Sequence, residues 1–142
     1  MTLHELERRL GEATGPESEL DRAIARIVGW HRVEPRHARN KHGAWVAPED
    51  FIGLMGDGSP ILDGLHGTEM HREVPHYTSS LDAALSLVPE RWNKDIWIKR
   101  HNGDHWSVTL HIPSYQLDGR HESLPIAICQ AALRARTQEH GE

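Results

Sequence analysis

Asn102 and Gly103 sit between two runs of strand-forming residues, DIWIKRH and DHWSVTLHI, and this arrangement constrains the fold more than any other stretch. Both residues tolerate the positive φ angles of a two-residue type I′ turn, so the segments predict an antiparallel hairpin. A turn of that length pairs His101 with Asp104, Arg100 with His105, Lys99 with Trp106, Ile98 with Ser107 and Trp97 with Val108. Because side chains alternate across a strand, Trp97, Trp106, Val108, Leu110 and Ile112 form the expected core face. Ile96, Ile98, Arg100, His105, Ser107, Thr109 and His111 form an opposite, mixed face.

Helical signals flank this hairpin. Thr2 with Glu5 makes a capping box before Leu3, Leu6 and Leu10, which predicts a helix over 3–13. Pro16 is placed in the first turn of a second helix, whose apolar stripe is Leu20, Ile24, Ile27 and Val28 and whose C-cap is Gly29. In PHYTSSLDAALSLVPE, residues 75–90, Ser79 and Asp82 read as a cap ahead of a stripe of Leu81, Ala84, Leu85 and Val88. YQLDGRHES reads as a turn around Asp118 and Gly119, and Ser123 caps a last helix with Pro125 in its first turn. Ala44 to Val46 is a short strand, whereas five glycines in 51–67 mark 48–74 as a loop-rich insertion with a small hairpin around Asp57 and Gly58.

At 142 residues the chain fits one α+β domain spanning 1–142, able to bury roughly two thirds of its unfolded surface. Five Trp argue against disorder despite a mean hydropathy of −0.61. No apolar run approaches the roughly 18 residues of a membrane span, and MTLHELERRL is not shaped like a signal peptide, so a cytoplasmic, membrane-free protein is expected. A lone Cys129 excludes an internal disulfide and serves as small core filler. The net charge of −5 argues against a nucleic-acid polymer as partner, although protonation of the 12 His would reverse its sign in mild acid.

The order of ATGPESELD with Gly29 and Trp30, then YTSSLDAAL, then a Trp-bearing hairpin, then LPIAICQAAL resembles the phage ABA-sandwich domain family, over about 90 of the 142 residues. The resemblance implies an antiparallel sheet with helices packed on both faces, and a small phage or prophage protein in a bacterial host cell. It implies no activity that transfers residue by residue.

Each candidate chemistry competes with a structural reading. His101 and His105 are four apart, but the predicted hairpin points them to opposite faces, so no metal or other cofactor is expected there. His66, His71 and His76 form a second rhythm of five residues. No GxSxG elbow occurs, Ser79, Ser80 and Cys129 have structural explanations, and GLMGDGS lacks the Walker lysine. The basic run with tryptophans at its ends combines phosphate-holding cations with base-stacking rings: Trp30, Arg32, Arg36, Arg39, Lys41 and Trp45, extended by Arg100 facing His105. The resulting expectation is a nonenzymatic phage accessory protein that binds a host protein or a small anionic, nucleotide-like ligand, with counter-defence as one setting. The alternatives are a small His-dependent, metal-assisted hydrolase and a self-associating virion or assembly component.

Overall fold

Capping chemistry sets where the helices begin and end. The computed structural model describes residues 2–38, 42–57, 60–62 and 73–139. Helix α1 (Leu3–Glu12) starts where Thr2 Oγ1 accepts the Glu5 N–H at 3.1 Å, and it buries Leu6 and Leu10. Helix α2 (Ser18–Ile27) begins after Pro16, which therefore precedes the helix instead of opening it. It ends as expected at Gly29, whose φ of +104° lets the Trp30 N–H reach Ala25 O at 2.9 Å and its own N–H reach Arg26 O at 3.2 Å. Those two bonds form a Schellman ending.

Contacts divide the chain into two units, one of Met1–Asp21 with Pro75–Glu142 and one of Arg22–Val74, so the division falls inside α2. The stretch read as an insertion over 48–74 lies within the second unit.

In that second unit, β1 (His31–Val33) precedes the short helix α3 (Pro35–Ala38) and pairs antiparallel with β2 (Ala44–Val46). Partners are His31 with Val46, Arg32 with Trp45 and Val33 with Ala44. A further hairpin joins β3 (Phe51–Leu54) to β4 (Pro60–Leu62), enclosing the expected reversal near Asp57. Gly58, His66 and His71 lie outside the described residues.

The first unit carries a three-stranded antiparallel sheet, β5 (Ile96–His101), β6 (His105–Ile112) and β7 (Tyr115–His121), in the order β5-β6-β7. The reversal lies where expected, with φ of 52° at Asn102 and 74° at Gly103 and the Asp104 N–H donating to His101 O at 2.8 Å. Its register does not follow the expected one. The ladder resumes at His105 instead of Asp104, pairing His101 with His105, Arg100 with Trp106, Lys99 with Ser107, Ile98 with Val108 and Trp97 with Thr109. One extra loop residue turns β5 over relative to β6. Ile96, Ile98 and Arg100 therefore share the face of Trp106, Val108 and Leu110, while Trp97, expected in the core, lies on the opposite face and is 63% exposed.

Residues 115–121, expected as a turn, form a full strand because Pro113 and Ser114 supply the reversal and Ile112 pairs with Tyr115. Asp118 and Gly119 sit inside the ladder opposite Thr109 and Val108. Helix α5 (Leu124–Glu139) packs on β6 and β7, and α1 and α4 (Leu81–Ser86) pack on α5. Ser80, one residue after the expected cap Ser79, caps α4 by accepting the Ala83 N–H at 3.2 Å. The architecture is α+β with antiparallel sheets.

Candidate functional site

On the face of the three-stranded sheet that carries Trp97, polar and aromatic side chains fall into rows across the strands. Register places Lys99, Ser107 and Arg120 in one row, with Trp97, Thr109 and Asp118 in the next. His101 and His105 form a row on the other side of Lys99. Their rings stack at 4.7 Å with an interplanar angle of 9°, and His101 Nε2 lies 2.8 Å from Ser107 Oγ. At the far end Trp97 meets His111 at 4.7 Å between ring centroids, and its indole N–H donates to Asp95 Oδ1 at 2.6 Å. Trp97, Lys99 and Arg120 are exposed, and the histidines are half-buried.

The electrostatics of this face are set by its cations. His101 has its pKa lowered, first by desolvation and then by His105, Lys99 and Arg120, so its neutral form is favoured in the free protein. His105 Nδ1 stands 3.6 Å from Asp104 Oδ2. Two hollows border the rows: one of about 430 Å³ lined by His105, Arg120 and the 11–14 segment among others, and one of about 390 Å³ lined by Arg91, Lys94, Asp95 and His111 among others.

The residues singled out from sequence are distributed differently. Arg32 and Trp45 come together as cross-strand partners in the β1–β2 hairpin, but Trp45 is only 2% exposed. The guanidinium carbons of Arg26 and Arg32 stand 5.3 Å and 5.9 Å from its ring centroid, so cations already engage the ring expected to stack a base. Arg32 Nη2 also donates to His42 O at 2.9 Å, tying the guanidinium to its own hairpin. Trp30 is half-buried, and its backbone N–H closes α2, while Arg36 is exposed on α3. Arg39 and Lys41 lie outside the described residues.

Arg100 does not face His105, contrary to expectation. It pairs with Trp106, lies 5.0 Å from that ring's centroid and donates to Gly103 O at 3.1 Å. His105 instead shares its face with His101, which overturns their expected placement on opposite faces. Lys99 and Arg120 were not singled out from sequence. Their common row exists only because Asp118 and Gly119 continue β7, and no local pattern announces that.

Nucleophile candidates in the first unit have structural assignments. Thr78 is fully buried, and its hydroxyl donates to Asp21 Oδ1 at 2.8 Å while accepting the Glu17 N–H at 3.0 Å. Burial pushes the Cys129 thiol far up, and its S–H donates to Tyr77 O at 3.3 Å, so it is no thiolate nucleophile near neutral pH. Ser80 is engaged as the α4 cap. Among the described residues, no group of three or more His, Cys, Asp or Glu side chains is placed to hold a metal ion.

No helix among the described residues is long and apolar enough to cross a membrane. The chain matches no family model, no curated protein and no solved structure. Fold and site therefore define a class, an α+β protein with a polar, aromatic-flanked sheet surface.

Proposed function

We propose that the chain is a nonenzymatic binding protein for a small anionic, nucleotide-like ligand, held on the exposed face of the three-stranded sheet. The observation that carries this reading is the Lys99–Ser107–Arg120 row, two exposed cations with a hydroxyl between them, flanked by the Trp97–His111 and His101–His105 ring pairs. Lysine and arginine hold phosphate oxygens through charge-assisted hydrogen bonds, and aromatic faces accept bases by stacking. The ABA-sandwich resemblance supplies the setting, although the ligand face of the three-stranded sheet carries exposed side chains where a second helical layer is expected: a phage or prophage accessory protein in the cytoplasm of a bacterial host, acting in counter-defence by sequestering a nucleotide signal. Small-ligand binding is favoured over a host-protein partner because two cations and a hydroxyl stand together in one row between two ring pairs.

Calorimetry of the full chain with cyclic and ADP-ribose-type nucleotides tests this. At least one class should bind, and Lys99→Ala or Arg120→Ala should weaken it about tenfold or more, the effect of losing one charge-assisted hydrogen bond of about 1.5 kcal/mol or more. Both side chains are exposed, and the Arg120 backbone N–H that donates to Gln130 Oε1 is retained in the alanine variant. No heat from any ligand at high micromolar concentration would remove the reading.

The same titration carries a pH signature. Desolvation, and then the charges of His105, Lys99 and Arg120, hold the His101 pKa down; an anion on the central row offsets the part due to Lys99 and Arg120, so binding favours proton uptake there. The groups facing His101 are His105, Ser107, Lys99 and Arg120, with Asp104 beside His105. Affinity should rise as pH falls from 7.5 to 6, and His101→Gln should flatten that rise; a pH-independent affinity contradicts it.

A further inference from the structure

Resting on that reading, we infer that the ligand is a dinucleotide, two bases joined through phosphate, with one base at each end of the sheet face and the phosphate bridge across Lys99 and Arg120. Spacing is the first argument. Trp97 and His101 are four residues apart on one strand, about 13 Å at about 3.3 Å per residue, with Lys99 midway. A base stacks on a ring at van der Waals contact, and a mononucleotide has only one base, so it cannot satisfy both ring pairs. Two bases with a bridge between them can.

Charge distribution gives the second argument. The central row pairs its two cations with an uncharged serine. No carboxylate stands in that row itself: Asp95 accepts from the Trp97 indole, Asp104 stands beside His105, Asp118 lies in the Trp97 row, and Glu12 and Glu122 line the hollow that His105 and Arg120 border. That pattern suits a ligand with its negative charge in the middle and neutral rings at its ends.

The hollows supply the third argument. His105 and Arg120 line one and His111 lines the other, so each ring pair borders recessed space beside the sheet. Length is bounded from above as well, because a net charge of −5 opposes accumulation of a long polyanion.

The test is calorimetry of the full chain with linear dinucleoside monophosphates of each base, the matching mononucleotides and a ten-residue single strand of the same base. We expect at least one dinucleotide to bind tenfold or more tighter than its mononucleotide. Trp97→Ala and His101→Ala should each lower dinucleotide affinity about tenfold, the order of one lost stacking contact, and together bring it to the mononucleotide level or below. Circular dichroism melts of both variants identify any loss that comes from unfolding, and Trp97→Phe, which keeps an aromatic face, should retain most of the affinity. Equal affinities for dinucleotide and mononucleotide would overturn the two-base site and leave the proposed function standing. Absence of binding to all of these probes would overturn the two-base site, and the titration with cyclic and ADP-ribose-type nucleotides decides the proposed function separately. A ten-residue strand binding more than tenfold tighter than the dinucleotide would overturn the inference in favour of a strand-binding surface.

Discussion

Gly119→Ala should destabilise the first unit by about 3 kcal/mol, a large effect for one methyl group. Gly119 lies opposite Val108 on the sheet face that meets α5. A Cβ built there overlaps Ala127 O and comes within 2.9 Å of Ala131 N and 3.0 Å of the Gln130 Cβ. Two of those three atoms are helix backbone and cannot rotate away. The helix is also tied to this strand, because Gln130 Oε1 accepts the Arg120 N–H at 2.7 Å and Arg134 donates to Asp118 O. Room for the methyl therefore requires α5 to lift off β7, and overpacking of that kind costs about 1–3 kcal/mol or more. Urea denaturation followed by far-UV circular dichroism measures it. Gly15→Ala, which meets nothing within 4 Å, is the matched control and should change stability by no more than about 1 kcal/mol. Equal midpoints for the two variants would show that the close approach of α5 and β7 is not rigid.

The second large effect is expected at Asp21. This side chain is 4% exposed, and its Oδ1 accepts both the Thr78 N–H at 2.7 Å and the Thr78 hydroxyl at 2.8 Å. Hydrogen bonds to a charged group contribute about 1.5–3 kcal/mol, and a buried donor left without a partner adds its desolvation cost. Asp21→Ala should therefore cost about 3 kcal/mol or more in the same urea experiment. Asp21→Asn retains an acceptor oxygen and should cost less. Thr78→Val removes the hydroxyl that links Asp21 to the Glu17 N–H, so the double variant Asp21→Ala/Thr78→Val should cost less than the two single losses added. Strict additivity would show that the two residues act independently and that this link does not anchor the 75–80 segment.

This link also explains why PHYTSSLDAALSLVPE is so patterned. Its Thr78 is bound to Asp21 in the preceding helix and its Ser80 caps the following one, so these hydroxyls hold backbone in place. Such caps were legible because their signals are local: Thr2 with Glu5, Gly29 after Ile27 and Val28, and the Ala44–Val46 strand all depend on a few adjacent residues. The β5–β6 register was not legible. Asn102 and Gly103 dictate positive φ but not whether Asp104 joins the ladder, and β5 is apolar on both sides at Ile96, Trp97 and Ile98, so alternation could not choose its inward face. Asp118 and Gly119 have the composition of a turn, yet the glycine serves a helix that passes too close for any side chain. The burial of Trp45 beside two arginines likewise depends on pairing at Arg32, thirteen residues earlier. The register shift and the burial of Trp45 changed residues of the expected ligand site, the strand at 115–121 set Arg120 in the row of Lys99, and the present candidate surface became visible only once both ladders were known.

Asp104, the surplus residue at the hairpin tip, gives this protein an unusual evolutionary lever. Deleting a single codon there would rotate the outer strand by half a turn, exchanging a tryptophan–lysine–histidine side for an isoleucine–isoleucine–arginine side without altering any amino acid in the strand itself. Among kindred chains, specificity could thus diverge through loop length faster than through substitution, and comparisons that score only residue identity would overlook the change.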